Sequence, residues 1–259
     1  MKILYVVGAR PNFMKVAPVI AAAERWNTRP HMAVRFESVL VHTGQHYDEL
    51  LSDVFFRQLG LPEPDEYLGV GSGSHARQTA RLFEALEPVI CRHEPDAVLV
   101  PGDVNSTCAG ALVAAKLNVP VVHLEAGLRS GDRGMPEEIN RIVADHVSDL
   151  LFTTCSDGDD NLLREGVAPE KIVDIGNTMI DSLVSLRSRA EATVAATRTR
   201  IGVGEGRLVL ATLHRPGNVD EPEQLLQLLE LLGAVSLAVS VVFPMHLRTR
   251  ARPLSAKMM

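Results

Sequence analysis

The sequence predicts an α/β protein built on a doubly wound parallel sheet, and three observations carry that expectation. Short apolar, β-branched runs recur along the 259 residues, each followed by a stretch with helical apolar spacing. Several of the runs stop abruptly at a glycine or an acidic residue, as buried parallel strands do when they reach the ligand-bearing edge of a sheet. The composition, 46% hydrophobic and 22% charged, is that of an ordinary globular chain long enough for one large domain or two smaller ones.

Ile3–Val7 reads as the first strand, ending at Gly8. ARPNFMKVAPVIAAAERW then places Phe13, Val16, Val19, Ile20 and Ala23 on one helical face, with Asn12 as the expected N-cap. Phe36–Val41 is a second strand, and Asp48 opens an expected helix. The Gly/Ser-rich GVGSGS loop leads into a helix over Arg77–Arg92, which Pro88 is expected to kink. Strand Ala97–Val100, helix Thr107–Lys116, strand Val121–Leu124, helix Glu137–Asp149 and strands Leu150–Thr154 and Ile172–Ile175 complete a first domain, residues 1–176. The Gly176-Asn177-Thr178 turn is the expected boundary. Residues 177–259 start a second unit with a long polar helix to about Arg200, strand Leu208–Leu213, helix Glu221–Leu232 and strand Val239–Phe243. Two strands make a very small sheet, so this second domain reads as incomplete.

The net charge of −6 supplies no basic footprint for nucleic acid or an anionic membrane. No apolar run approaches the roughly 18 residues of a membrane helix, and MKILYVVGARPNF lacks the cleavage site of a signal peptide. Cys91, Cys108 and Cys155 are an odd set without metal-like spacing, expected as free thiols in a reducing compartment. The expectation is a cytoplasmic protein without a metal.

Chemistry concentrates between Ala97 and His146. Asp103 and Glu125 each follow an apolar strand, and Glu137-Glu138 opens a helix, so carboxylates from three successive elements converge on one crevice. The plainer reading of Asp103 is a helix cap. That of Glu137, Arg141 and Asp145 is a surface face of i,i+4 ion pairs. Gly8 with Arg10 and Lys15 offers a backbone approach and two cations to an anion at a helix N-terminus, or only an ordinary turn. His214-Arg215 and His246 follow strands of the second unit, where they could face a diphosphate or serve structure.

The motifs GARPNFMKVAPVI, HTGQHYDELL, PGDVNST, HLEAGLRSGD…PEEINR, GNTMIDSL, TLHRPGNVD and VVFPMHLRTR resemble, in order, those of the non-hydrolysing UDP-N-acetylglucosamine 2-epimerases. The resemblance implies two Rossmann-like domains of the glycosyltransferase GT-B type, with the site in the cleft between them. It implies interconversion of UDP-N-acetylglucosamine and UDP-N-acetylmannosamine through elimination and re-addition of UDP, with no cofactor, in a homodimer. Carried over position by position, Asp103, Glu125, Glu137 and His214 are its catalytic groups, and Arg10, Lys15, Arg141 and Arg215 its substrate contacts. Gln45, His46, Arg77 and His246 fall on motifs that resemble contacts to a second, activating UDP-sugar. Gly217 stands in HRPGN where the family usually has an acid, and family members continue past the position of Met259. The expected alternatives are a sister 2-epimerase on another UDP-sugar, a hydrolysing variant, and an inactive nucleotide-sugar binder. A glycosyltransferase would share the architecture without needing three acids in the first-domain crevice.

Overall fold

The computed structural model describes residues 1–44, 56–213, 215–245 and 249. The chain divides into two compact units, Met1–Ser188 and Arg189–Met259.

The first unit is wound on a seven-stranded parallel sheet. In chain order its strands are β1 (Lys2–Val7), β2 (Glu37–His42), β3 (Glu66–Tyr67), β4 (Ala97–Pro101), β5 (Val121–Ala126), β6 (Leu150–Thr153) and β7 (Ile172–Asp174). Across the sheet they run β3-β2-β1-β4-β5-β6-β7, and every pairing is parallel. The strand order reverses between β1 and β4, which is where a doubly wound sheet opens a crevice at its C-terminal edge.

Alternation in β1 feeds two cores. Tyr5 and Val7 pack with Phe13, Val16, Ala17 and Ile20 of helix α1 (Arg10–Asn27), together with Leu40, Leu99 and Leu124. Leu4 and Val6 face the opposite side with Leu82, Leu86, Val89 and Ile90 of α2 (His75–His93) and Ala109, Ala111, Val113 and Ala114 of α3 (Asn105–Lys116). Helices therefore cover both faces, which explains why the central strands are apolar throughout. Helices α4 (Pro136–Val147), α5 (Ser156–Arg164) and α6 (Thr178–Arg200) follow β5, β6 and β7.

Two local readings change. Ala9, not Asn12, caps α1. Asn12 sits inside the first turn, where its Oδ1 accepts from the N–H groups of Gly8 (3.1 Å) and Ala9 (3.0 Å). Ser74 caps α2, its Oγ accepting from Arg77 N–H, so that helix starts two residues earlier than its apolar periodicity suggests. The compact units part at Ser188. Ser182 Oγ donates to the Met14 carbonyl (2.6 Å), holding the first half of α6 on the first unit. The expected helix at Asp48 lies outside the described residues.

In the second unit β8 (Leu208–Leu210) pairs in parallel with β9 (Ser240–Val242) through α7 (Pro216–Val219) and α8 (Pro222–Ser236), a single β-α-β crossover. Val219 and Leu225 are buried, whereas Leu210, Leu231 and Leu237 are exposed. The three cysteines are free thiols, and no described helix is long and apolar enough to cross a membrane.

Candidate active site

The C-terminal ends of β1, β4 and β5 meet at the switch point. Gly102 closes β4 with φ +67°, a conformation that suits glycine. Its Cα faces Lys15 so closely that an added Cβ would lie 2.7 Å from the Lys15 Nζ. Asn12 Nδ2 donates to the Pro101 carbonyl (3.1 Å), which ties the first turn of α1 to the end of β4.

Asp103 follows, half-buried. It does not cap α3: the N-cap position is Val104, with no side-chain cap. Its Oδ2 accepts from Arg141 of α4, and its backbone carbonyl accepts from Asn140 Nδ2 (2.9 Å). Asn140 also donates to Asn105 Oδ1 (3.1 Å), and Asn105 to Gln78 Oε1 (2.7 Å), a chain of amides that joins α4, α3 and α2.

Glu125 lies inside β5, at a bulge where the pairing with β6 slips between Leu124 and Ala126. It is one of four non-glycine residues with positive φ among the described residues, at 72°. Unbroken alternation would leave Glu125 on the face of His123. The bulge interrupts it, and the carboxylate pairs with Lys15 from α1 at 2.8 Å. Both groups are mostly buried, with side chains 18% and 8% exposed, so water screens the pair far less than a surface contact.

Glu137 and Glu138 divide their work. Glu138 is buried and accepts from Ser130 N–H (3.0 Å), Ser130 Oγ (2.9 Å) and Gly131 N–H (3.0 Å), with Arg141 at 3.2 Å. Burial alone would raise its carboxyl pKa. These donors and the guanidinium outweigh burial and hold it below the usual carboxylate range. Glu137 is half-buried and has no partner among the described residues. It stands three and four positions before Asn140 and Arg141, the residues that bind Asp103, and therefore shares their helix face.

The i,i+4 pairs expected along α4 do not form: Arg141 is taken by Asp103 and Glu138, and Asp145 by His123 and Arg129. Sequence reasoning gave no role to Asn140 or His123, and cast Asn12 only as a helix cap. The signal that could have found His123 is a single polar residue within the apolar run Val121–Leu124.

The structure thus gathers Asp103, Glu125, Lys15 and Arg141 around the ends of β4 and β5, with Glu137 on the adjoining helix face. Arg10 is exposed at the start of α1, and Arg77 is exposed in the first turn of α2. Arg215 is exposed in the second unit, where its carbonyl accepts from Asn218 and Val219. Gln45, His46, His214 and His246 lie outside the described residues. No group of three or more His, Cys, Asp or Glu among the described residues could hold a metal ion.

A doubly wound α/β unit whose switch-point crevice holds several carboxylates beside buried cations defines a class: enzymes that move protons on an anionic substrate. Within it the chain belongs to the UDP-N-acetylglucosamine 2-epimerase family, whose sequence profile matches residues 30–258. It is 44% identical over 253 residues to the UDP-2,3-diacetamido-2,3-dideoxy-D-glucuronate 2-epimerase of Pseudomonas aeruginosa, covering 96% of this chain and 68% of that protein. It is 40% identical over 256 residues to the UDP-N-acetylglucosamine 2-epimerase of Methanocaldococcus jannaschii, covering 97% and 68%. The crystal structure of that archaeal enzyme with UDP-GlcNAc and UDP superposes with a TM-score of 0.81 at 39% identity, covering 96% of this chain and 67% of the other. The Neisseria meningitidis UDP-GlcNAc 2-epimerase bound to UDP-GlcNAc gives 0.84 at 30% identity, covering 96% and 68%. The chain spans about two-thirds of the length of these relatives.

Proposed function

We propose that the protein inverts C2 of UDP-N-acetylglucosamine, interconverting it with UDP-N-acetylmannosamine. A base removes the proton at C2, the C–H electrons form the C1–C2 double bond, and the C1–O bond breaks with its electron pair leaving on UDP. Protonation at the opposite face of C2 and return of UDP to C1 complete the inversion. The reaction needs at least two acid–base groups on either side of C2 and cations for the departing diphosphate.

The observation that carries this reading is the unequal pairing of the carboxylates at one strand edge. Asp103 and Glu125 are each held by a cation, whereas Glu137 has no partner among the described residues. An unpartnered, half-buried carboxylate is the one free to take a proton from carbon. Asp103, fixed by Arg141, exchanges the proton on the other face. Glu125, fixed by Lys15, stabilises the positive charge that develops at C1. Arg10, Lys15, Arg141 and Arg215 supply the cationic contacts, with His214 at the diphosphate. Arg77, with Gln45, His46 and His246, is assigned to a second UDP-sugar that activates the enzyme. The homodimer and the cytoplasmic location belong to the same reading, which the free thiols support.

The test is to incubate the chain with UDP-N-acetylglucosamine in D2O and follow C2 by NMR. UDP-N-acetylmannosamine carrying deuterium at C2 is the expected product. Free N-acetylmannosamine would make the protein a hydrolysing enzyme, and an unexchanged C2 would overturn the proposal. A parallel incubation with UDP-2,3-diacetamido-2,3-dideoxy-D-glucuronate reads which sugar turns over faster.

A further inference from the structure

Beneath the two strand ends lies a buried polar network that the reaction described above does not use. His123 is fully buried, in the middle of β5. Its Nδ1 lies 2.6 Å from Asp145 Oδ1 and its Nε2 lies 2.7 Å from the Gly102 carbonyl. A carbonyl oxygen can only accept. Asp145 is also an acceptor: it takes the Gly127 N–H (3.2 Å to Oδ2) and pairs with Arg129 (2.7 Å). Each ring nitrogen therefore needs its own proton for both contacts to be hydrogen bonds.

Arg129 bridges Asp145 to Glu165, which it holds through two nitrogens at 2.8 and 2.6 Å. Glu165 lies at the rim with its side chain 30% exposed, so Asp145 is the carboxylate that both His123 and Arg129 meet in the interior. His146 reaches the outer edge of the cluster, 4.0 Å from Glu165. Burial alone would raise the Asp145 carboxyl pKa, but His123 and Arg129 outweigh it and keep it ionised.

The position of the network matters more than its strength. Gly102, the acceptor of His123, directly precedes Asp103. Gly127, the donor to Asp145, stands two residues after Glu125. Gly102, Glu125 and Gly127 all have positive φ, at 67°, 72° and 78°. Positive φ is ordinary for the two glycines, but at Glu125 it is strained and persists only when the surroundings over-determine it. One ring and one carboxylate hold both ends from below.

We propose that His123 and Asp145 form a buried imidazolium–carboxylate pair that sets the spacing between the Asp103- and Glu125-bearing strand ends, making them positioning residues for proton transfer at C2. This rests on the epimerase reading above. Proton transfer tolerates little displacement, since a shift near 1 Å can cost about 100-fold in rate.

The experiment has two arms. In the 15N-histidine-labelled chain near neutral pH, long-range 1H–15N spectra are expected to show a proton on both ring nitrogens of His123. A single protonated nitrogen would overturn the pair whether or not the chain is active. In the second arm, Asp145→Asn is expected to lower kcat for C2 deuterium exchange about 100-fold with KM unchanged. Loss through KM alone, or an unchanged kcat, would overturn the positioning role. If Asp145→Asn does not fold, Arg129→Lys, which keeps the charge but not the fork that joins Asp145 to Glu165, is expected to show the same kcat-selective loss in milder form, and an unchanged kcat there counts against the role. A chain that exchanges no deuterium at all removes the epimerase reading and the positioning role with it, while the spectrum still reports the buried pair.

Discussion

Glu125 occupies a backbone conformation that costs a non-glycine residue about 1–3 kcal/mol, and its side chain is what that strain positions. The bulge that turns it toward Lys15 leaves Gly102 as the opposing surface, with room for no more than a hydrogen. Gly102→Ala is therefore expected to push Lys15 off Glu125 and to strain the backbone at φ +67°. Its signature would be a loss of about 1–3 kcal/mol in denaturant unfolding together with a raised KM for the nucleotide sugar. An unchanged KM would separate Lys15 from substrate binding. Glu137 offers the opposite experiment. Because it has no partner among the described residues, Glu137→Gln is expected to leave the unfolding midpoint in place while C2 deuterium exchange falls by roughly 10²–10⁴-fold. A coupled loss of stability and activity would assign it a structural role instead.

At the scale of elements, α2 and β4 carry the face opposite α1. Leu82 and Leu86 of α2 are fully buried one turn apart against Val98 and Val100 of β4. Leu86→Ala is expected to cost about 2–5 kcal/mol, read as a lower denaturant midpoint at unchanged m-value; a loss under 1 kcal/mol would mean that the face repacks. Elements of this kind were legible because one period runs through them, 2.0 or 3.6, with the apolar residues on one side. The two-residue strand β3 shows no period at all, and α5 carries an acidic first turn with Leu162 as its buried leucine, so neither announces itself. The acids behaved likewise. Asp103 and Glu125 stood out because an apolar run stops at each. Their partners did not, since Lys15 and Glu125 are 110 residues apart and only the sheet order brings α1 over β5. The same cause replaced the i,i+4 ion pairs read on α4: the fold brings Asp103 to Arg141, and His123 and Arg129 to Asp145.

For the first unit as a whole, pH is the readiest perturbation, because its depressed groups titrate in two separate windows. His42 is buried at the end of β2, stacked between Phe13 and Tyr67 at ring distances of 5.4 and 5.0 Å, and its Nδ1 accepts the Gly44 N–H at 3.0 Å. Burial lowers its pKa from 6.5 to about 4. The unfolded chain thus binds a proton near pH 6.5 that the folded one refuses until about pH 4. Stability from this group is fully present above 6.5 and is lost as pH falls toward 4, amounting to about 3 kcal/mol at 1.36 kcal/mol per unit. Asp145, Glu138 and Glu66 are also depressed, but as carboxylates. Their contribution is present above their ordinary values of 3.8 and 4.5 and is lost only as pH falls below those. Thermal unfolding is accordingly expected to weaken between pH 6.5 and 4 through His42 and to collapse below pH 4 through the acids. In His42→Asn, whose side-chain oxygen can still accept from Gly44, the upper window should flatten while the acid collapse remains. Parallel pH profiles for the two proteins would remove His42 as the source of the upper window and leave the carboxylates to account for the whole acid response.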